Sequence, residues 1–187
     1  LENIIYQPEM DAEMRTEFLT DINKEIDRLN SIISDLLTLV SMDSKAMRLN
    51  RTTFSLAQVI TDTAHRLQPV AESHHQELKL ALNDRCEMYA DCAKLTQVVY
   101  NLMENAIKYT QEGGAIKVRL IRSGRDAVMT VTDNGPGIPR EDQAHIFDRF
   151  YRVDKARSRE TGGTGLGLSI VHQMVLMHGG SVSVESE

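Results

Sequence analysis

The chain has 187 residues, of which 41% are hydrophobic and 26% charged, and its formal net charge is −6. This composition is typical of a globular protein and leaves room for one domain with an appendage. The acidic balance argues against a nucleic-acid-binding surface, and no run approaches the roughly eighteen apolar residues that a membrane helix needs. Cys86 and Cys92 lack metal-ligand spacing, so we expect reduced thiols in an intracellular protein.

A long amphipathic helix is predicted near the start of the chain. Apolar side chains recur there at spacings of three and four residues, and they form a seam of Phe18, Ile22, Ile26, Leu29, Ile33, Leu36 and Val40. This spacing is typical of a helical bundle. Pro8 separates the helix from a stub at residues 1–6, which we interpret as the end of a preceding antiparallel helix. We expect the seam to pack against partner helices and to carry no chemistry by itself.

Helices and strands are mixed in the rest of the chain. The periodicity predicts strands at residues 51–56, 77–82, 86–90, 114–121, 126–133 and 181–186, and helices at 56–73, 91–109 and 165–178. Because these elements do not alternate as in repeated βαβ units, we predict an α+β fold. The expected architecture is a two-layer α/β sandwich with a mixed sheet, preceded by the long bundle-type helix.

The helix that follows Asp91 has a polar face as well as an apolar one. Asn101, Glu104, Asn105 and Lys108 share that face. Taken alone, such a face is most simply a solvated helix surface. However, two asparagines one turn apart offer carbonyl oxygens to a hard cation, and the lysine offers an ammonium group to phosphate. This combination suits a magnesium nucleotide.

Two glycine-containing segments follow, "TDNGPGIP" at residues 132–139 and "GGTGLGLS" at 162–169. Asp133 stands at a strand end, where its carboxylate can accept a hydrogen bond from the exocyclic amino group of adenine. The second segment leads into a helix whose first amides can bind phosphate. Tight turns and helix caps are the plain interpretation of each segment alone. Neither segment is a P-loop or a dinucleotide fingerprint.

In order and spacing, "NLMENAIKYT", "DNGPGIP", "IFDRFYRVDKARS" and "GGTGLGLSI" resemble the N, G1, F and G2 boxes of bacterial sensor histidine kinases. The resemblance covers roughly residues 56–187 and implies the Bergerat ATP-binding fold. It also implies that residues 1–48 are part of the dimerisation and histidine-phosphotransfer hairpin, without the acceptor histidine. Residues 49–187 would be the ATP-binding catalytic domain, truncated at its C-terminus.

The resemblance implies a set of site residues. Asn101 and Asn105 would be the catalytic pair, with Asn105 binding magnesium and Asn101 beside the phosphates, and Asp133 would bind the adenine amino group. The other nucleotide-binding residues would be Lys108, Tyr109, Gly135, Gly137, Ile138, Phe147, Arg149, Phe150, Arg152, Gly163, Thr164, Gly165, Leu166 and Gly167. We expect residues 151–163 to be an ATP lid that is mobile without nucleotide.

The implied cofactors are ATP and Mg²⁺, and the implied reaction transfers the γ-phosphoryl group of ATP to a histidine. The family's acceptor motif surrounds none of the histidines here, and His75 in "HHQELKLAL" is no exception. We therefore expect an acceptor upstream of Leu1 and no autophosphorylation by this fragment alone. Expected partners are the chain's own phosphotransfer hairpin, a response regulator and a second copy in a homodimer. The fragment would be cytoplasmic, with any membrane attachment through an upstream part.

Two alternatives remain open. The first is a hydrolytic ATPase of the same fold. Such ATPases resemble one another in having a glutamate four residues before the magnesium asparagine. Asn101 occupies that position here, and Glu104 is off by three. A non-catalytic dimerisation module would use the seam and would have a degenerate nucleotide site. Intact Asn105, Asp133 and Gly165 weigh against this second alternative.

Overall fold

The computed structural model of the protein describes residues 11–43, 48–153 and 164–186. In chain order the elements are α1 (Ala12–Asp43), β1 (Arg51–Ser55), α2 (Leu56–Ser73), β2 (Glu77–Leu82), β3 (Glu87–Asp91), α3 (Cys92–Tyr109), β4 (Ala115–Ser123), β5 (Asp126–Asp133), α4 (Arg140–Gln143) and α5 (Gly167–Met177). Within these described ranges, no helix combines the length and apolar character needed to cross a membrane. The predicted stub at residues 1–6 lies outside them.

The strands form two sheets. β1 and β3 make an antiparallel pair, and the other three strands are ordered β2-β4-β5. In the larger sheet β2 runs parallel to β4, whereas β4 and β5 form the predicted hairpin, closed by Ser123 opposite Asp126. The mixed sheet under helices confirms the predicted α+β fold. The division into residues 1–48 and 49–187 stays a prediction.

The predicted strand at residues 181–186 is wrong, because this segment forms no strand. It is instead bonded to the chain that follows β5: the Ser186 hydroxyl accepts a hydrogen bond from the Ile138 amide at 2.8 Å, and the Ser186 carbonyl accepts one from the Gln143 side chain at 3.1 Å. Alternating sequence favours extended backbone, but a strand also needs a neighbour that completes its ladder. No described strand pairs with this segment.

Asp91 joins three parts of the fold. Its carboxylate accepts hydrogen bonds from the amides of Lys94 at 3.2 Å and Asn50 at 3.0 Å, so it caps α3, as predicted, and also fixes the chain entering β1. Its own amide donates to Nε2 of His178 at 3.1 Å, while Nδ1 of that ring lies 2.7 Å from the Met174 carbonyl. The two contacts require Nε2 to accept and Nδ1 to donate, which is neutral imidazole. The end of α5 is thereby tied to the start of α3.

The core consists of two hydrophobic clusters that share α3. The first cluster packs α2 and the inner face of β4 against Val99, Met103, Ala106 and Ile107 of α3. The second cluster packs α5 against Leu95 and Val98 of α3, and it includes Leu39 of α1. Since one helix supplies both clusters, burial of its apolar side fixes the direction in which its polar face points.

The seam of α1 is left uncovered by the rest of the described chain. Ile33, at its centre, is 54% exposed, and Ile26, Leu29 and Val40 are exposed as well. By contrast, Leu39 is only 3% exposed, because the neighbouring face of α1 lies against the second cluster. The helix therefore presents two apolar faces, one occupied within the chain and one open to a partner.

We expect the chain to self-associate through the seam, and Ile33→Glu to shift it towards monomer, because a buried unpaired carboxylate disfavours association. Sedimentation at increasing concentration measures the shift. Ser31→Glu is the matched control, since Ser31 is exposed on the helix side away from the seam. A wild-type chain that stays monomeric at high concentration would show that the seam is no association surface.

Candidate nucleotide-binding site

The polar face of α3 lies under the start of α5. The Asn101 side-chain amide donates a hydrogen bond to the Gly167 carbonyl at 3.2 Å. A Cβ placed on Gly167 would stand 3.8 Å from Nδ2 of Asn101 and 4.0 Å from Nδ2 of Asn105. The two asparagines and the glycine-led helix, predicted for one site from separate motifs, are thus direct neighbours.

The start of α5 offers an anchored helix terminus. Leu166, the residue before the helix, is fully buried in the second cluster, which fixes the position of the first turn. Gly167 leaves open the volume that a side chain would fill beside the two asparagines. The first amides of a helix have no intrahelical partner and carry partial positive charge, so they favour a phosphate group.

The turn after β5 is pressed against the far end of α3. Asp133 is exposed, and one of its carboxylate oxygens accepts a hydrogen bond from the Gly135 amide at 2.9 Å. A Cβ on Gly135 would lie 2.8 Å from that oxygen and 2.9 Å from the Tyr109 carbonyl. Only glycine therefore fits between the carboxylate and the end of the helix without displacement. The contact sets Asp133 at a fixed position relative to α3.

Helix α3 thus connects the two halves of the candidate site. Asn105 and Tyr109 are four residues apart, which corresponds to about 6 Å along the axis. Lys108 lies between them in sequence, and its Nζ is 5.7 Å from the centroid of the Tyr109 ring, which is half exposed. The helix therefore holds a candidate phosphate end, at Asn101 and Asn105 under Gly167, apart from a candidate base end at the Asp133 turn.

Residues 147–150 contact α5 and the second glycine-containing segment, residues 162–169. The ring centroids of Phe147 and His172 of α5 lie 5.5 Å apart. The Phe150 amide donates to the Gly165 carbonyl at 3.0 Å, and a Cβ on Gly165 would stand 2.9 Å from the Phe150 carbonyl carbon. Gly165 also has φ +71°, a conformation that side chains disfavour. Phe150 itself has positive φ and is 60% exposed.

The structure assigns no individual role to the other predicted site residues. Gly137 has φ +74°, and Ile138 is half-buried beside Ser186. Arg149 is exposed and Arg152 is half-buried. Gly163, and with it most of the predicted lid at residues 151–163, lies outside the described residues. The individual binding roles stay predictions.

One neighbour of the site was not predicted from the sequence. Asp35 of α1 accepts a hydrogen bond from the Thr164 hydroxyl at 3.1 Å, and that hydroxyl oxygen accepts one from the Leu166 amide at 3.1 Å. Burial raises the pKa of the Asp35 carboxyl, and the hydrogen bond from Thr164 opposes the rise. No local pattern could reveal a contact between residues 129 positions apart.

Glu104 has a partner on its own helix. The Tyr100 hydroxyl donates to a Glu104 carboxylate oxygen at 3.0 Å, one turn away. Burial, the negative charge of Glu104 and this hydrogen bond raise the pKa of Tyr100 to about 12, so the hydroxyl remains a donor at neutral pH. The carboxylate is therefore held towards Tyr100 along the helix surface. The spacing of four residues was a local signal for this pair.

The site has oxygen donors for a cation but no protein cage. Across the described residues, no group of three or more His, Cys, Asp or Glu side chains could hold a metal ion. Magnesium commonly keeps several waters and takes few protein ligands together with substrate phosphates. The carboxamide oxygens of Asn101 and Asn105 fit that mode, in which a nucleotide supplies the remaining oxygens.

The family of the chain follows from comparison with known proteins. Residues 90–187 match the family described as histidine kinase-, DNA gyrase B-, and HSP90-like ATPases. This range contains α3, the Asp133 turn and α5, so the match covers every part of the candidate site that the structure describes. The chain belongs to this family.

Its named relatives are sensor histidine kinases, which confirms the resemblance found in the four boxes. The sensor histidine kinase WalK of Bacillus subtilis is 38% identical over 173 residues, or 90% of this chain and 28% of that protein. A solved full-length ShkA in complex with AMPPNP matches with a TM-score of 0.79 at 27% identity, over 97% of this chain and 37% of that one. Histidine kinase ThkA, solved with response regulator protein TrrA, matches with a TM-score of 0.74 at 25% identity, over 96% of this chain and 50% of that one. The chain spans only 24 to 39% of the length of the curated relatives that it matches.

The close approach of residues 150 and 165 predicts how a side chain at position 165 changes the free energy of unfolding. Gly165→Ala should destabilise the protein more than Gly113→Ala, although both positions have positive φ. A Cβ at Gly165 meets backbone at 2.9 Å, whereas one at Gly113 meets nothing within 4 Å. Both variants carry the left-handed penalty of about 1–2 kcal/mol, and only the first adds a collision. Urea unfolding measures the difference; equal losses would mean that the 150–165 contact does not constrain the fold.

Proposed function

We propose that the chain is the ATP-binding catalytic part of a sensor histidine kinase. It would bind ATP with Mg²⁺ and transfer the γ-phosphoryl group to a histidine on a phosphotransfer hairpin. The observation that carries this proposal is the arrangement along α3, where Asn101 and Asn105 lie under Gly167 at one end and Tyr109 contacts the Asp133 turn at the other. The AMPPNP complex of the structural neighbour ShkA supports ATP as the ligand.

In this function, the two ends of α3 bind different parts of the nucleotide. Asp133 accepts a hydrogen bond from the adenine amino group, and Gly135 allows the base to approach the backbone closely. The first amides of α5 and the Lys108 ammonium hold phosphate oxygens, and Asn105 supplies an oxygen to the cation. Bound magnesium would neutralise charge on the phosphates during transfer. The protein mainly orients the reactants and stabilises developing charge.

The remaining set of nucleotide-binding residues follows the same division. Tyr109, Gly137 and Ile138 would line the base end. Phe147, Arg149, Phe150 and Arg152 would anchor the lid and approach the phosphates, together with Gly163, Thr164, Gly165, Leu166 and Gly167. Support for this second group comes from the contacts of Phe147 with α5 and of Phe150 with Gly165.

Hydrolysis is the less favoured activity. A general base must lie within hydrogen-bond reach of the attacking water. Asn101 occupies the position that a hydrolytic glutamate would take, and its amide already donates to the Gly167 carbonyl. Glu104 is engaged by the Tyr100 hydroxyl. Neither residue is thus arranged to activate water.

The proposed partners extend the reaction beyond this chain. The complex of the neighbour ThkA with response regulator TrrA supports a response regulator as the next phosphoryl acceptor. The exposed seam of α1 supports a homodimer built on a four-helix bundle that includes the chain's own phosphotransfer hairpin. We place this part of the protein in the cytoplasm, with membrane attachment only through a segment upstream.

Asp133→Asn should weaken ATP binding by about 1–3 kcal/mol, because the amide replaces an acceptor oxygen with a donor and leaves the adenine amino group unpaired or mispaired. Calorimetric titration with ATP and GTP, in the presence of Mg²⁺, measures both affinity and base preference. Asp126→Asn, at the other end of β5, is the matched control and should bind as the wild type does. Equal affinity of the wild-type chain for the two nucleotides would contradict the role of Asp133.

The chain alone should bind ATP yet acquire no label on histidine from γ-labelled ATP, since none of its histidines has the acceptor context. A separate phosphotransfer hairpin with its acceptor histidine should become labelled when it is added. The label should be acid-labile, as phosphohistidine is, and Asn105→Ala should prevent it. Acid-labile label on the chain alone would overturn the assignment. Steady hydrolysis lost in Glu104→Gln would instead favour the hydrolase.

A further inference from the structure

Helix α1 contacts the nucleotide-binding part of the chain through a face distinct from its seam. Asp35 and Leu39, one turn apart, lie on this face. Leu39 is packed in the second cluster with Leu166 and Ile170 of the α5 region. The Asp35 carboxylate accepts the hydrogen bond from Thr164 at 3.1 Å. An apolar and a polar contact thus fix α1 against the segment that leads into α5.

The Thr164 hydroxyl is the point at which this contact meets the candidate phosphate end. Its oxygen accepts from the Leu166 amide at 3.1 Å, and its single proton is donated to Asp35. A hydroxyl can donate to only one acceptor at a time. The next residue after Leu166 is Gly167, whose carbonyl is bound by Asn101 at 3.2 Å. Asp35 is therefore connected to the phosphate end through a short, continuous set of contacts.

The proton of the Thr164 hydroxyl has two possible acceptors, the Asp35 carboxylate and a bound triphosphate. The Asp35 carboxylate and a triphosphate are both anionic, and charges of like sign repel more strongly where water is partly excluded. Asp35 is only partly exposed, and burial raises its pKa, which shows that its negative charge is already disfavoured in this position. A triphosphate bound near Thr164 would disfavour it further.

We propose that Asp35 and Thr164 form a latch that holds α1 against the nucleotide-binding part while the phosphate end is empty. The proposal rests on ATP binding at the site described above. ATP takes the Thr164 hydroxyl as a donor and repels Asp35, so nucleotide binding weakens the α1 contact. By linkage, the α1 contact weakens nucleotide binding by the same factor. Asp35 is thus a positioning residue that acts on the nucleotide site through Thr164.

The first test measures affinity. Asp35→Ala removes both the acceptor and the charge, and it should tighten Mg-ATP binding about five-fold, the lower end of usual coupling between sites. Asp35→Asn keeps an acceptor but removes the charge, so it should tighten binding less. Asp21→Ala, at an exposed aspartate on the same helix, is the matched control and should leave the affinity unchanged. Circular dichroism and urea unfolding of each variant establish that it is folded.

The second test measures the α1 contact directly. Spin labels at Ser34→Cys and Leu176→Cys, both exposed sites, report the distance between α1 and α5 once Cys86 and Cys92 are replaced by alanine. A nonhydrolysable ATP analogue should broaden the distance distribution or move it to longer values. Asp35→Ala should produce the same change without nucleotide.

Thr164 variants separate the latch from a general structural role. Thr164→Ser keeps the hydroxyl, so without nucleotide it should preserve the wild-type distance between α1 and α5. Thr164→Val keeps the shape but loses the proton, so it should broaden the distance distribution without the gain in ATP affinity seen for Asp35→Ala. A chain that binds no ATP would overturn the proposed function itself. A chain that binds ATP, but whose affinity and α1 distance are insensitive to Asp35→Ala, would overturn the latch alone.

Discussion

The fold depends on how α3 buries its apolar side. Six of its buried hydrophobic side chains are divided between two clusters, so that Val99, Met103 and Ile107 turn towards α2 and the sheet, while Leu95 and Val98 turn towards α5. Each fully buried side chain of this kind contributes about 1.5–3 kcal/mol. No rotation of the helix could keep both clusters. The strip that carries Asn101, Asn105 and Lys108 is therefore aimed by the burial of the opposite side rather than by its own weak polar contacts.

Burial also explains why the two glycine segments meet one helix. Leu166 is buried beside Leu95 and Val98, and this packing brings the first turn of α5 onto the asparagines. At the other end, β5 delivers Asp133 next to the Tyr109 carbonyl, where only Gly135 fits. The candidate site is thus a gap between elements whose positions are set by the core.

The sequence predicted these elements well where their periodicity was local. The i, i+4 pattern of α3 identified both its apolar and its polar face, and the cap at Asp91 was readable from the residue type. The four boxes added the link between α3, the Asp133 turn and α5. The prediction of a strand at residues 181–186 was wrong, because alternation of apolar and polar residues indicates only a backbone preference. A strand also needs a pairing partner elsewhere in the chain. The contact of Asp35 with Thr164 was unreadable for a related reason, since neither residue is unusual in its own segment.

The attachment of α1 differs in strength from the rest of the core. Its described contacts with α5 centre on one turn, where burial of Leu39 contributes about 1.5–3 kcal/mol and a hydrogen bond such as that between Asp35 and Thr164 adds about 0.5–1.5 kcal/mol or somewhat more with a charged acceptor. These are small amounts compared with the two shared clusters of α3. A contact of this size can be broken by the binding energy of a nucleotide, while the nucleotide-binding part stays folded. In the proposed function, this difference in energy would let the nucleotide-binding part move relative to α1 without losing its own site.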